Sequence, residues 1–160
     1  MAGITTRSMT PTEFDSWQQE LAREYAEEQV AAGNWEASTA VERALAENAR
    51  LLPDGVNTSR MMFLVAVLDD GTTVGRAWVG RDHPRGAPDT AFLWDIEIHE
   101  AVRGRGFGRA LLAAVEERVA AEGVGALELN VFGSNVTAIA LYERSGYRVV
   151  TQQMRKSLQR

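Results

Sequence analysis

Between Arg103 and Arg109 the chain reads Arg-Gly-Arg-Gly-Phe-Gly-Arg, and Ala110 to Ala121 follow with the apolar spacing of a helix. Gly104, Gly106 and Gly108 alternate with Arg105 and Phe107, so the backbone can approach a ligand without Cβ obstruction. The helix that follows offers its unpaired N–H groups and positive dipole end. An anion fits such a cradle, and a pyrophosphate fits it well. The loop has no Gly-Lys-Ser/Thr ending, which removes the lysine and the magnesium-binding hydroxyl of a nucleoside-triphosphatase loop. Its G-x-G-x-G spacing, placed after several predicted strands, also departs from a dinucleotide fingerprint. The plainer alternative is a tight strand-to-helix turn carrying solubilising arginines.

A second group lies further on. Asn135 and Tyr142 are seven residues apart, which on a helix leaves them about 20° out of alignment and roughly 10 Å apart along the axis. Ala138 lies between them, and its small side chain would let an extended ligand lie close. The plainer reading makes Asn135 an N-cap and Tyr142 a core aromatic with its hydroxyl at the surface.

The elements that must position these groups can be read along the chain. Ile4 to Met9 predicts a short strand, and Thr10-Pro11-Thr12-Glu13 predicts a capping box with proline in the first turn. Phe14, Trp17, Leu21 and Tyr25 then form one buried helical stripe that Gly33 ends. Ser38 is expected to cap a second helix running to Leu52, stopped by Pro53 and the Asp54-Gly55 turn. Met61 to Leu68 and Thr73 to Val79, joined by Asp69-Asp70-Gly71, predict an antiparallel hairpin. A loop over 83–89 leads to a strand over Ala91 to Ile98, in which Phe92, Trp94, Ile96 and Ile98 alternate with Leu93, Asp95 and Glu97. After the glycine loop come a helix with Leu111, Leu112, Val115 and Val119, a strand over Ala126 to Phe132 forming a parallel crossover, a helix from Ser134 or Asn135 to Gly146, and a last strand over Tyr147 to Met154.

Composition bounds the function. The 160 residues predict one domain, 1–160, with 45% hydrophobic residues to build its core. A formal net charge of −5 argues against a nucleic-acid partner and suits a cationic substrate. Against that background Arg103, Arg105 and Arg109 make a local positive spot. The absence of cysteine excludes thiolate chemistry and disulfides and fits a reducing cytoplasm. No secretion signal and no membrane-length apolar run is recognised, so a cytoplasmic protein with no membrane partner is expected. His83 and His99 are isolated, and no metal site is expected.

With both motifs in order and separated by a helix and a strand, the chain resembles the GNAT superfamily of acyl-CoA-dependent N-acetyltransferases over essentially its whole length. The family's R/Q-x-x-G-x-G/A loop matches Arg103 to Gly108, and its second motif matches Asn130 to Tyr147. The resemblance implies an α/β (α+β) fold: a mixed, mostly antiparallel twisted sheet of about six to seven strands, a central parallel pair splayed at the cofactor site, and about four helices. It implies acetyl-CoA as cosubstrate, with residues 103 to 109 on the pyrophosphate, the backbones of Ile96 and Ile98 on the pantetheine arm, and Asn135 and Tyr142 near the arm and sulfur. Tyr142 becomes the general acid, and the Ile98 N–H becomes the oxyanion donor.

Attack of an amine on a thioester also needs a proton acceptor. Asp95 and Glu97 are the candidates, with Asp95 preferred; a solvated sheet face is the alternative for both. Some family members carry a glutamate where this chain has Asn130, and an amide cannot act as a base there. The acceptor pocket is expected between the early helices and the 83–89 loop, with Trp35, Trp78 and Trp94 as possible walls. A peptide N-terminus, lysine, polyamine or aminoglycoside would all suit it. The expected state is a monomer or a homodimer, the latter through the edge of the last strand. Two other readings are a non-catalytic acyl-CoA-binding sensor of the same fold and a nucleotide-binding module.

Overall fold

The hairpin over Asp69-Asp70-Gly71 sits at the middle of the sheet in a computed structural model that describes residues 3–159. Around it the elements run β1 (Thr5–Ser8), α1 (Pro11–Ala31), α2 (Ala40–Leu51), β2 (Met61–Val67), β3 (Thr73–Gly80), β4 (Thr90–Ile98), α3 (Phe107–Ala121), β5 (Ala126–Leu129) and α4 (Val136–Arg144). The strands lie in sequence order, β1-β2-β3-β4-β5. The first three pairings are antiparallel and β4–β5 is parallel. This is a mixed α/β fold, with a five-stranded sheet instead of the six to seven strands expected. The described residues fall into two compact units that divide after Asn130.

In the first unit, α1 begins as the sequence dictates. The Thr10 hydroxyl accepts from the Glu13 N–H at 3.2 Å, and the Glu13 carboxylate accepts from the Thr10 N–H at 2.9 Å. Phe14 and Trp17 then pack edge-on against Phe63 and Trp78 of the sheet. Leu64 and Val79 point to the other face, where they are fully buried along with Leu111, Leu112 and Val115 of α3. The alternation of each strand thus feeds two apolar layers. The second helix departs from expectation: it starts at Ala40, with Thr39 rather than Ser38 at the N-cap and no side-chain capping bond.

Two irregularities in β4 shape the site. Trp78 pairs with Asp95 but Val79 pairs with Leu93, so Trp94 is an extra residue at a bulge. Strict alternation fails there, because Trp94 stacks on Trp78 at 5.3 Å between centroids and shares a face with Asp95. The second irregularity is the early end of β5, whose last pair is Leu93 with Leu129. The strand expected to reach Phe132 stops at Leu129, and no strand among the described residues pairs with that edge of β4 from Trp94 to Ile98.

The second unit contains α4 and the chain that follows it. Asn135 is the N-cap of α4 and its Oδ1 accepts from the Ala138 N–H at 3.2 Å. Residues 147–154 form no strand, contrary to expectation. Their β-propensity reports fit to a half-buried sheet, and no ladder forms alongside them; Val149, Val150 and Met154 are exposed. A dimer built on that strand's edge therefore lacks its strand.

Candidate active site

Bare backbone, a glycine turn and a buried charge cluster meet at the C-terminal end of β4. The His99 N–H donates to the Val74 carbonyl at 2.9 Å. By strand alternation the N–H and C=O of Ile98, and of Ile96 two residues earlier, face the opposite edge, the one β5 leaves uncovered. The Ile98 carbonyl confirms the direction, since it accepts from Nε of Arg103 at 2.9 Å on that side. Five residues of open edge, Trp94 to Ile98, make a seam about 16 Å long at about 3.3 Å per residue.

The glycine loop closes the end of this seam. A single 3₁₀ turn, Glu100–Val102, leads into extended Arg103. Gly104 and Gly106 then adopt left-handed φ of 79° and 83°. No atom lies within 4 Å of a Cβ built on Gly104, so backbone conformation rather than crowding calls for glycine there. Gly106 is the N-cap of α3, and no side chain caps the N–H groups of the first turn. Phe107 is buried and anchors the turn, while Arg105 and Arg109 stand exposed beside it. Open space at Gly104, uncapped N–H groups at the helix start and adjacent cations fit a pyrophosphate. Arg103 is already engaged, with Nη2 on Glu97 Oε1 at 2.8 Å.

Next to the seam lies Arg76 of β3, which sequence reasoning passed over. It is 6% exposed and serves four carboxylates. Its Nε donates to Asp95 Oδ2 at 2.9 Å, and its Nη2 donates to Glu24 at 2.7 Å and Glu97 at 2.5 Å. Nη1 lies 3.2 Å from Glu20. Burial alone would lower the guanidinium's proton affinity, but Asp95, Glu97 and Glu24 raise it, so Arg76 is charged. The one clue in sequence is a lone charge inside the apolar run Thr73–Gly80. Its partners were hidden because Glu20 and Glu24 lie more than fifty residues away on α1.

Asp95 and Glu97 therefore differ. Asp95 Oδ2 takes the Trp17 indole N–H at 3.0 Å as well as Arg76, and its side chain is 12% exposed. Burial raises its carboxyl, against the pull of Arg76 and Trp17. Glu97 is 29% exposed, and burial lifts it to about 7, a rise that Arg76 opposes and Glu24 reinforces. Neither residue lies on a solvated face.

The remaining candidates are scattered. Trp78 is 2% exposed in the core, and Trp35 packs on Tyr25 and under Arg43. The 83–89 loop lines a cavity of roughly 400 Å³ with Arg60, Arg81 and Glu122 at the start of β4, about 23 Å along the strand from Glu97. It does not bound the seam. His83 is buried and bonds Glu128 through Nε2 while its Nδ1 accepts from the Arg85 N–H at 3.0 Å, which is a structural use of both nitrogens. In the second unit Tyr142 packs on Tyr147 with ring centroids 5.9 Å apart. Among the described residues no His, Cys, Asp or Glu group is arranged to hold a metal ion, and no helix is long and apolar enough to cross a membrane.

Residues 14–147 match the model of the acetyltransferase (GNAT) family. The uncharacterized N-acetyltransferase YdgE of Bacillus subtilis is 30% identical, over 97% of this chain and 98% of its own length. The crystal structure of YycN from the same organism superposes with a TM-score of 0.92 at 31% identity, covering 99% of this chain and 100% of that one. The PaiA N-acetyltransferase of Thermoplasma acidophilum, solved in complex with coenzyme A, shares the fold at 20% identity with a TM-score of 0.66, covering 95% of this chain and 94% of that one.

Proposed function

The chain belongs to the GNAT family of acetyltransferases, and on that premise we propose that it moves an acetyl group from acetyl-CoA to a primary amine by direct attack in a ternary complex. The observation that carries this reading is the juxtaposition at the end of β4: an uncovered strand edge, an uncapped helix start behind a glycine turn, and a half-buried carboxylate beside both. Acetyl-CoA, when bound, supplies the thioester carbonyl that the amine attacks. The N–H groups of residues 107–109, with Arg105 and Arg109, would hold its pyrophosphate, and the backbones of Ile96 and Ile98 would pair with its arm. The Ile98 N–H would also donate to a developing oxyanion. Asn135 and Tyr142 keep the roles that the family resemblance implies, at the arm and as general acid.

Glu97, rather than Asp95, is the proton acceptor in this proposal. Asp95 is buried with one oxygen shared by two donors, which suits a structural hydrogen-bond acceptor. Glu97 is partly exposed and its carboxyl sits near neutrality, where a general base works best. Four acidic side chains, Glu20, Glu24, Glu28 and Asp95, outnumber Arg76 and Arg103 around it, which favours a cationic amine. The test is a screen of amines for CoA release with acetyl-CoA present, alongside calorimetry with CoA. Turnover with one amine class is the expected result. Binding of CoA with no turnover on any amine would favour a sensor of the same fold, and no binding would defeat the proposal.

A further inference from the structure

Two carboxylates from distant parts of the chain share one nitrogen: Nη2 of Arg76 donates to Glu24 of α1 at 2.7 Å and to Glu97 of β4 at 2.5 Å. Carboxylates held this close do not readily both ionise, because each disfavours the other's charge. Glu97 is lifted chiefly by burial, and the neighbouring Glu24 charge adds to the rise. The second oxygen of Glu97 is held by Arg103 at 2.8 Å, which fixes the group's orientation.

We infer that Glu24 is a positioning residue that completes a carboxylate pair with Glu97 across Arg76, so that the proton taken from the amine is held between the two until water removes it. The inference rests on the reading of Glu97 as proton acceptor. In the step, an N–H bond of the substrate ammonium breaks with its electron pair left on nitrogen, and an O–H bond forms on Glu97. That O–H donates to the Glu24 carboxylate, and the proton leaves to solvent past Glu24, whose side chain is 32% exposed. The charged groups around Glu97 are Arg76 from β3, Asp95 from β4, Glu24 from α1 with Glu20 beyond it on Arg76, and Arg103 from the glycine loop; Glu28 of α1 adds its field through Glu24 and Asp95.

The pair makes a signed prediction. Replacing Glu24 by Gln removes a charge that raises Glu97, so the Glu97 midpoint should fall by about half a pH unit or more. Carboxyl ¹³C NMR titration of the full chain without substrate reads this directly, and the acid limb of kcat/KM should move down with it. A loosened structure would instead lower kcat at every pH and leave the limb in place. Glu24→Ala is the second variant, expected to move the midpoint the same way; amide spectra confirm that each variant is folded. An unchanged Glu97 midpoint in folded Glu24→Gln overturns the pair, whatever the activity. If Glu97→Gln keeps the wild-type acid limb, the acceptor reading fails instead, and the NMR titration still decides whether the pair exists.

Discussion

Asp95 and Glu97 stand two positions apart on one strand and meet opposite fates. Asp95 sits under the Trp17 indole and against Arg76, so its removal leaves a buried N–H and part of a guanidinium without an acceptor. Asp95→Ala is expected to cost about 2 kcal/mol, given the worth of hydrogen bonds to charged groups. For a chain of this size that is a fall in Tm of about 4–8 °C by calorimetry. Glu97→Gln should leave the fold intact and lower kcat by about 100-fold or more. Tyr142→Phe should lower kcat at least about tenfold while calorimetry finds acetyl-CoA affinity unchanged, as for a group used only as the leaving thiolate departs. Sequence offered both acids of β4 with Asp95 preferred; the choice of Glu97 depends on Arg76 and Trp17, whose side chains reach the two acids only through the fold.

Local signals were legible where the physics is local. The Thr10–Glu13 box, the Asp69-Asp70-Gly71 hairpin and the passage of the glycine loop into a helix all depend on residues a few positions apart, and each lies where the pattern placed it. The bulge at Trp94, the early end of β5 and the absent strand over 147–154 depend on neighbours that a one-dimensional pattern does not contain. Thr10→Ala should cost α1 about 1 kcal/mol, measured by denaturant unfolding. Its partner Glu13 is drawn down to about 2, first by Arg7 and then by the Thr10 N–H. A depressed carboxyl stabilises the fold above its ordinary value of 4.5, and that stability is lost as pH falls through about 2. Gly106→Ala forces a Cβ into a left-handed N-cap at about 1–2 kcal/mol, and CoA affinity by calorimetry should weaken with it.

Stability and catalysis pull against each other across the chain. Because Glu97 is raised to about 7 from 4.5, the fold favours its protonated form; that contribution is full below pH 4.5 and is lost as pH rises through 7. Wild-type Tm should therefore decline between pH 5 and pH 8, and Glu97→Gln should flatten the decline in a thermal-shift series. Addition of CoA, but not ATP or NAD, should raise Tm in the same assay. One helix bears on both properties: α1 supplies Trp17 beneath Asp95 and Glu24 beside Glu97. Phe14 and Trp17 of the same helix lie in the core, so on heating Glu24 would part from Glu97 only as the core itself opens.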